Sequence, residues 1–300
     1  MNFTHLAAFF AVVETGSVTA ASDKLHVSQP ALTREIRELE ERFGVSLFDR
    51  LPRGMQPTEA GKLLAQYAAQ IFSLAEAAEN AMGEFSGVKR GHLKLAASRT
   101  IGVYLLPSVL DEFRRLYPGV TVDVSVSNTE DVEGTLLAQD CQIGLVEGPY
   151  NTSVFDAAMI GRDQLVAVAA ATHPLAGKRR VSAATIGSGE LVVRESGSGT
   201  RTIIEQAYLE KGIEFSPKLS IGSPEGIKQL LRLGNAVAWV SRHSVADDLQ
   251  SGVLVELSIH DLTIVRELNM IWRRERTLSP SARAFRTLAS NVMPAERRVA

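Results

Sequence analysis

Glutamine, threonine and arginine side chains recur after Ser28 at a spacing that could place them on one side of a helix. With about 100° between successive residues, one arc holds Gln29, Pro30, Thr33, Arg34 and Arg37. Arginine can pair with guanine O6 and N7, and glutamine with adenine N6 and N7, so the arc has the chemistry for contact with base edges in a major groove. A solvated polar face on a small helical domain explains this arc equally well.

The adjoining arc of the same segment is apolar and predicts which side of the helix packs. It consists of Leu32, Ile36, Leu39 and Phe43, which fall within about 60° of one another. Ser28 is a suitable N-cap, Pro30 lies in the first turn, where its missing N–H is harmless, and Gly44 can end the helix. We therefore expect a helix with one packed face and one polar face.

Three other segments, at residues 98–102, 127–129 and 195–201, are rich in hydroxyl groups and glycine. Each follows a predicted strand and opens a predicted helix, where free N–H groups and a positive dipole favour anions. The pattern predicts a site for a small anionic metabolite. The candidate contacts are Ser98, Arg99, Thr100, Ile101, Asn128, Thr129, Ser196, Gly197, Ser198, Thr200 and Arg201. Helix capping explains any one segment by itself, whereas three segments at matching points favour a binding site.

Glu147 ends a further predicted strand and is a candidate for the same site. An ordinary solvated carboxylate and a residue that orients the ligand are both compatible with its position.

Composition and motif content exclude several classes of protein. The 300 residues are 45% apolar and 22% charged, which is typical of two or three globular domains, and the net charge of −2 gives no indication of nucleic-acid binding. The single cysteine, Cys141, excludes a switch of paired thiols. The six histidines are scattered, and no phosphate-binding glycine loop, dinucleotide fingerprint or nucleophile elbow is present. We expect no enzyme activity, no metal and no cofactor.

The sequence also lacks the features of a membrane or secreted protein. It has no run of about 18 apolar residues and no basic region before an apolar core at its amino end. We therefore expect a cytoplasmic protein without a membrane partner.

The polar arc lies within residues 1–58. The pattern of these residues predicts short helices joined by tight turns, which would hold the arc in position. Gly16 can end a first helix and Ser17 can cap a second that runs to Leu25. Residues 45–58 then predict a strand, a Pro/Gly turn and a return strand. On this β-wing, Arg50 and Arg53 could meet phosphates or the minor groove.

These residues resemble a known family. The run A-A-S-D-K-L-H-V-S-Q-P-A-L-T-R-E-I-R-E-L-E-E-R-F-G-V-S-L-F-D-R, followed by P-R-G-M-Q-P-T-E-A-G, is similar to the winged helix-turn-helix of LysR-type transcriptional regulators over about the first 65 residues. The resemblance implies that Ser28, Gln29, Pro30, Thr33, Arg34 and Arg37 face the major groove, with Arg50 and Arg53 on the wing. Gln56 and Pro57 depart from the apolar residues usual in the family, which puts the return strand in doubt.

A long helix is predicted over residues 59–90, where apolar residues recur every seven positions. One row is Leu64, Ile71, Ala78 and Phe85, and a second is Tyr67, Leu74 and Ala81. Two such apolar rows form a seam that suits pairing with a second copy of the chain. A dimer would carry two DNA-binding domains, which match the two half-sites of an operator. A single helix packed on the second domain is the alternative, and the resemblance, in which this linker helix dimerises, favours the seam.

Residues 91–300 alternate predicted strands with predicted helices, which indicates an α/β domain with a largely parallel sheet. Its length indicates two subdomains with a cleft. The resemblance agrees, because LysR-type regulators carry a periplasmic-binding-protein-like effector domain of two such halves. The predicted fold is thus a winged helix-turn-helix (1–58), a dimerisation helix (59–90) and a two-subdomain α/β effector domain (91–300).

Within the effector domain, the runs S-R-T-I-G-V-Y-L-L-P, L-V-E-G-P and R-E-S-G-S-G-T-R resemble the branch of the family that regulates carbon fixation and sulfur metabolism. The expected partners are double-stranded promoter DNA, a second copy of the chain in a dimer or tetramer, a small anionic metabolite and RNA polymerase. Activation and repression are both compatible with the sequence. A cytoplasmic binding protein or enzyme, in which the first 90 residues only drive oligomerisation, is the competing interpretation.

Overall fold

The computed structural model describes residues 2–51, 54–85 and 91–293. The chain divides into two compact units, Met1–Glu79 and Asn80–Ala300. None of the helices within the described ranges is long and apolar enough to cross a membrane.

Three helices open the first unit, as the sequence predicts. They are α1 (Phe3–Thr15), α2 (Val18–Leu25) and α3 (Gln29–Phe43). The Oγ atoms of Ser17 and Ser28 each accept a hydrogen bond at 3.4 Å from the backbone N–H three residues later, which caps α2 and α3. Gly16 and Gly44 end α1 and α3 in the left-handed conformation, with φ of 65° and 69°. Local capping therefore sets the bounds of the helix-turn-helix.

The apolar arc of α3 packs with α1 to form the core of the first unit. The residues at most 4% exposed in these two helices include Leu6, Phe9, Val12, Leu32, Ile36 and Leu39. Burying each large apolar side chain contributes roughly 1.5–3 kcal/mol. Phe43, the fourth residue predicted for the stripe, is 43% exposed, so that part of the prediction is wrong. It is the last residue of α3, and the chain turns away directly after it at Gly44.

A hairpin follows, as predicted for the wing. Its strands are β1 (Phe48–Leu51) and β2 (Gly54–Pro57). They pair antiparallel, with Phe48 opposite Pro57, so the departure at Gln56 and Pro57 does not interrupt the return strand. The Oγ1 atom of Thr58 accepts a hydrogen bond from the N–H of Gly61 at 3.1 Å and caps the next helix.

The long helix α4 (Glu59–Phe85) divides its apolar side chains between two faces. Leu64 and Ile71 pack, beside the fully buried Ala68, against the core of the first unit. Tyr67 and Leu74 are 56% and 70% exposed. Leu64 and Ile71 are partly buried by this contact, and self-pairing along the predicted seam stays a prediction.

The second unit alternates strands and helices. It begins with β3 (Gly91–Ser98), a π-helical turn (Ile101–Leu105), α5 (Leu106–Leu116), β4 (Val120–Ser127), α6 (Thr129–Leu137), β5 (Ile143–Glu147) and β6 (Phe155–Ala170). It continues with α7 (Ala183–Gly187), β7 (Leu191–Val193), α8 (Gly199–Glu210), β8 (Leu219–Ser220), α9 (Pro224–Leu231), β9 (Val237–Ser241) and a 3₁₀ turn (Arg242–Val245). The last elements are α10 (Ala246–Gln250), β10 (Leu254–Glu256), β11 (Ile264–Arg273) and α11 (Pro280–Val292). Sequence analysis missed the first part of β6 and all of α7, α10, β10, β11 and α11.

One mixed sheet runs through this unit in the order β4-β3-β5-β11-β6-β9-β7-β8, with β10 beside β6. Strand β3 is parallel to β4 and β5, and β7 is parallel to β8 and β9. Strand β11 is antiparallel to β5 and β6, and β6 is antiparallel to β9 and β10. The expectation of a largely parallel sheet is therefore wrong at its centre, because two long antiparallel strands connect the outer parallel portions.

Strands β6 and β11 extend through both halves of the second unit, and each half has its own core. Ile160 and Leu268 pack in the core of the first half. Leu165 and Ile264, which lie a few residues away on the same two strands, pack in the core of the second half. The predicted two-subdomain architecture is confirmed, and its halves join along the short stretch of β6 and β11 between these residues.

Gly199, at the start of α8, lies against the end of β5. A Cβ atom there would be 1.8 Å from the carbonyl oxygen of Glu147 and 2.7 Å from the Oγ1 of Thr129. We expect Gly199→Ala to destabilise the protein by about 1–3 kcal/mol, because α8 must move away from the sheet.

Gly134→Ala is the matched control, since Gly134 lies within α6 and a Cβ there would meet no atom within 4 Å. Alanine in a helix is favoured over glycine by roughly 0.5–1 kcal/mol, so this variant should be neutral or stabilised. Urea unfolding of both variants measures the difference. A Gly199→Ala variant as stable as the parent protein would contradict the close approach.

Candidate functional site

The polar arc of α3 is exposed and forms one continuous surface. A shallow depression of about 480 Å³ is lined by Gln29, Pro30, Thr33, Arg34 and Arg37. Ser28 precedes it as the cap of the helix. The Arg34 side chain is 69% exposed and lies 3.6 Å from Glu35 and 3.7 Å from Glu38, which are weak pairs at a solvated surface. The structure thus brings together all the contacts predicted on this helix and leaves their polar groups accessible.

The wing is present as a hairpin. The structure describes the backbone of one predicted wing arginine, Arg50, but not the other. The backbone of Arg50 pairs with Met55 within the hairpin. Arg53 lies outside the described residues. Contact of both side chains with DNA stays a prediction.

In the second unit, the buried guanidinium group of Arg266 on β11 joins two of the three predicted segments. Its Nε and Nη2 atoms donate to Oδ2 of Asp163 on β6 at 2.9 and 2.7 Å. Its Nη1 donates to Oγ1 of Thr200 at 2.6 Å, and its Nη2 to Oγ1 of Thr100 at 3.3 Å. The side chains of Arg266 and Asp163 are fully buried. The two hydroxyl groups therefore bind a cation of the protein rather than capping their own helices.

Glu147 belongs to the same buried network. It is 2% exposed, its carboxylate accepts a hydrogen bond from the hydroxyl of Ser98, and it lies 3.6 Å from Nη1 of Arg266. Burial raises the pKa of Glu147, and the guanidinium groups of Arg266 and Arg194 act in the opposite direction. The interpretation of Glu147 as a solvated carboxylate is therefore wrong.

A second buried cation, Arg194, directly follows β7 and retains an unused donor. Its side chain is 4% exposed, and its Nε and Nη2 atoms donate to the carboxylate of Glu195 at 2.8 and 2.9 Å. Its Nη1 atom is buried and has no hydrogen-bond partner among the described residues. Because a buried donor without an acceptor costs about 1–3 kcal/mol, this atom marks a position that an acceptor could fill.

Other residues predicted for the effector site have different roles. The side chain of Ile101 is fully buried in the core of the first half. Arg201 donates to Glu205 on its own helix at 2.7 Å, and Arg99 donates to the carbonyl oxygen of Gly222 at 2.5 Å. The two arginines predicted to converge on a ligand are thus bound to other groups, whereas Arg194 and Arg266 are buried beside the predicted segments.

The remaining predicted residues lie between α6 and the start of α8. Asn128 caps α6, whereas Ser198 occupies the cap position of α8 without a capping side-chain bond, and Ser196 is exposed. Thr129 donates to the carbonyl oxygen of Glu147 and accepts from the N–H of Gly199, both at 3.2 Å.

Thr129 and Gly197 also line a pocket of about 420 Å³. Glu130 and Glu133 lie on its wall, and burial raises the pKa of Glu133. Because two carboxylates repel an anion, this pocket is unsuited to the predicted ligand, and the surroundings of Arg194 suit it better.

Sequence analysis missed Asp163, Arg194 and Arg266, all of which are buried. Each is a charged residue within or directly after a strand that is otherwise largely apolar. That signal is available in the sequence, because a charge in a buried strand needs a partner.

Comparison with known proteins identifies the family. Residues 3–62 match the family model described as "Bacterial regulatory helix-turn-helix protein, lysR family", and residues 86–294 match the "LysR substrate binding domain". The chain belongs to the LysR family of transcriptional regulators. The relatives named below are transcriptional regulators and not enzymes. This finding argues against the competing interpretation of the chain as an enzyme.

This LysR-type regulator is similar to members of the predicted branch. It is 32% identical to the "RuBisCO operon transcriptional regulator" of Allochromatium vinosum over 95% of this chain and 94% of that protein. It is 33% identical to "HTH-type transcriptional regulator CysL" of Bacillus subtilis over 90% of this chain and 91% of that protein. Among solved structures, the regulatory domain of Synechocystis CcmR in complex with 2-PG has a TM-score of 0.64 and 26% identity, covering 69% of this chain and 99% of that domain.

Cys141, the single thiol, is buried in the effector domain of this regulator. Burial raises the pKa of Cys141 to about 12. The protonated form of the thiol is therefore favoured over the reactive thiolate at neutral pH.

Removing the cation of the buried network should destabilise the effector domain. We expect Arg266→Ala to lose about 3–5 kcal/mol of unfolding free energy, because Asp163 is left buried without its counter-charge. Arg274→Ala is the matched control, since Arg274 pairs with Asp156 at 3.0 Å but is 56% exposed, and an exposed pair is worth about 0–1 kcal/mol. Denaturant unfolding compares the two variants, and equal losses would contradict the role of Arg266.

Proposed function

We propose that this regulator contacts promoter DNA through the exposed polar face of α3 and responds to a small anion that binds beside Arg194. Gln29, Arg34 and Arg37 are all exposed on that face, and their side chains are of the types that recognise base edges. In a helix-turn-helix, the second helix enters the major groove and flanking elements meet the backbone. The capped α3 and the hairpin β1–β2 support this docking mode.

The unpaired Nη1 atom of Arg194 is the observation that carries the anion proposal. An oxyanion supplies the missing acceptor, and charge-assisted hydrogen bonds from arginine to carboxylate, phosphate or sulfate oxygens are short and strong. Burial raises the pKa of Glu147, which weakens the preference of that acid for its charged form, so it competes less with a ligand for the two cations. The observation that supports an anion beside Arg194 is therefore the unpaired Nη1 donor and not an excess of positive charge, since Glu195 and Asp163 already pair with the two cations.

An anion bound beside Arg194 would lie near both halves of the effector domain. Arg194 follows β7 in the second half, and its charge acts on Glu147 and Tyr104 of the first half. The hydroxyl of Tyr104 also donates to Glu225 on α9, which links the halves directly. An anion held between the halves would favour the arrangement in which both halves contact it, and ligand control of DNA binding requires such a difference in affinity.

The comparison with CcmR supports a small-molecule effector, because the regulatory domain of that protein is similar along almost its whole length and was solved with 2-PG. Self-assembly as a dimer or tetramer, contact with RNA polymerase and action in the cytoplasm are further parts of the proposal. For self-assembly, the exposed Tyr67 and Leu74 on α4 offer an apolar surface.

The anion site is tested by thermal unfolding of the full chain with sulfate, inorganic phosphate and 2-PG. A ligand at 100 times its Kd stabilises by about 2.7 kcal/mol, and we expect at least one of these anions to raise the Tm. Arg194→Met should abolish that rise, because it removes the unpaired donor. Arg115→Met, which removes an exposed arginine paired with Glu112, should retain it. A rise that survives Arg194→Met would place the anion elsewhere, and no rise with any anion would contradict the site.

The DNA-contacting face is tested by replacing one arginine on it. If Arg34 pairs with a base, Arg34→Ala should cost about 1–3 kcal/mol on specific promoter DNA and relax the preference at one position. Arg53→Ala should weaken binding to all DNA similarly and lower the salt slope by about one. Arg115→Ala is the control for loss of one positive charge. Gel-shift titrations on specific and random DNA measure each effect, and equal losses for Arg34→Ala on both would refute base recognition.

A further inference from the structure

Three side chains from two helices converge beside the polar face of α3. The Nε2 atom of His5 on α1 lies 2.9 Å from Oε2 of Glu35 and 3.2 Å from Oε2 of Glu38. The two glutamates are three residues apart, so they lie on the same side of α3. One donor atom from each residue falls within 4.8 Å of the other two.

This cluster has more hydrogen-bond acceptors near Nε2 of His5 than that nitrogen has hydrogens to donate. One imidazole nitrogen carries at most one hydrogen, yet two carboxylate oxygens approach it within hydrogen-bond distance. The other oxygens of Glu35 and Glu38 face Arg34 at 3.6 and 3.7 Å, which is too long for normal hydrogen bonds. The His5 and Glu35 side chains are only 17% and 19% exposed, so water screens their charges incompletely.

We propose that His5, Glu35 and Glu38 form a binding site for a divalent transition-metal ion of the zinc class. One imidazole nitrogen and two carboxylates are common zinc ligands, and three protein ligands leave a fourth position for water. With bonds of about 2.0–2.1 Å, two ligands of a tetrahedral ion lie about 3.3 Å apart. The nitrogen-to-oxygen distances of 2.9 and 3.2 Å are close to that spacing, and one donor atom from each of the three residues lies within 4.8 Å of the other two.

The ion would take the place of the one hydrogen on Nε2 of His5, for which the two carboxylates compete. Nε2 must be deprotonated to bind the metal, and both Oε2 atoms can bind it at the same time. The Oε1 atoms remain directed at Arg34, which becomes an outer partner of the metal ligands.

A bound metal would also change the charge next to the DNA-contacting face, a consequence that rests on the proposed function. The ion offsets the negative charge of two carboxylates that face Arg34 and that oppose the approach of DNA phosphates. Arg34 is then less strongly attracted to its neighbours and more available to DNA. We expect zinc to tighten specific DNA binding several-fold.

The site is tested on the full chain, after removal of metal with a chelator, by titration with Zn²⁺ against a competing indicator dye. We expect one site per chain that Glu38→Gln and His5→Gln each weaken at least tenfold. Glu38 is 47% exposed, so Glu38→Gln tests the site in a folded protein, which a circular dichroism spectrum checks.

His92→Gln is the matched control. The His92 ring is near a single carboxylate, that of Asp123 at 3.1 Å, and its replacement should leave zinc binding unchanged. Absence of zinc binding by the parent protein, or equal binding by Glu38→Gln, would overturn the site. Fluorescence anisotropy on promoter DNA with and without Zn²⁺ tests the second step separately. If zinc binds but DNA affinity does not change, the metal site stands and its link to Arg34 is rejected.

Discussion

The effector domain depends on one buried guanidinium group, that of Arg266, at the place where its two halves join. Arg266 lies on β11 and Asp163 on β6, the two strands that run through both halves. Its remaining donors reach Thr100 in the first half and Thr200 in the second. Buried ion pairs add little net stability relative to apolar packing, but their geometry is specific. The network therefore acts mainly by fixing how the halves are arranged.

The same network explains why Arg194 is left with a free donor. Asp163 is taken by Arg266, and Glu195 binds only two of the three side-chain nitrogens of Arg194. Glu147 is directed at Ser98 and Arg266. An anion beside Arg194 would act on Glu147 in the same direction as burial, since both disfavour its charged form. A bound anion and the charged form of Glu147 would thus compete for the positive charge of Arg194 and Arg266. Such competition is one way in which ligand binding could change the effector domain.

The winged helix could be predicted from sequence because its signals are local. Ser17, Ser28, Gly16 and Gly44 fix the helix bounds within a few residues of themselves, and tertiary packing does not override them. The centre of the effector domain depends instead on pairing between distant strands. Nothing near β11 in sequence reveals that it lies between β5 and β6, so the mixed sheet was missed.

The site residues show the same division between local and distant interactions. The hydroxyl-rich segments were recognised from their neighbours in sequence, and Thr100 and Thr200 do meet in space, where both accept hydrogen bonds from Arg266. Arg99 and Arg201 were chosen because they lie next to those segments, but Gly222 and Glu205 bind them. The position of a charge along the chain does not reveal its partner, and the buried positions of Arg194 and Arg266 depend on the whole fold.

Helix α4 shows how one apolar pattern can serve two purposes. Leu64, Ala68 and Ile71 pack on the winged helix, and this contact uses one side of the helix. Leu63, Tyr67 and Leu74, at spacings of four and seven, lie on another side and are 56%, 56% and 70% exposed. A heptad spacing cannot tell which apolar row faces the domain itself, because both rows repeat with the same period. Since exposed apolar rows of this kind mark interaction surfaces, a self-pairing contact on α4 would involve the row of Leu63, Tyr67 and Leu74.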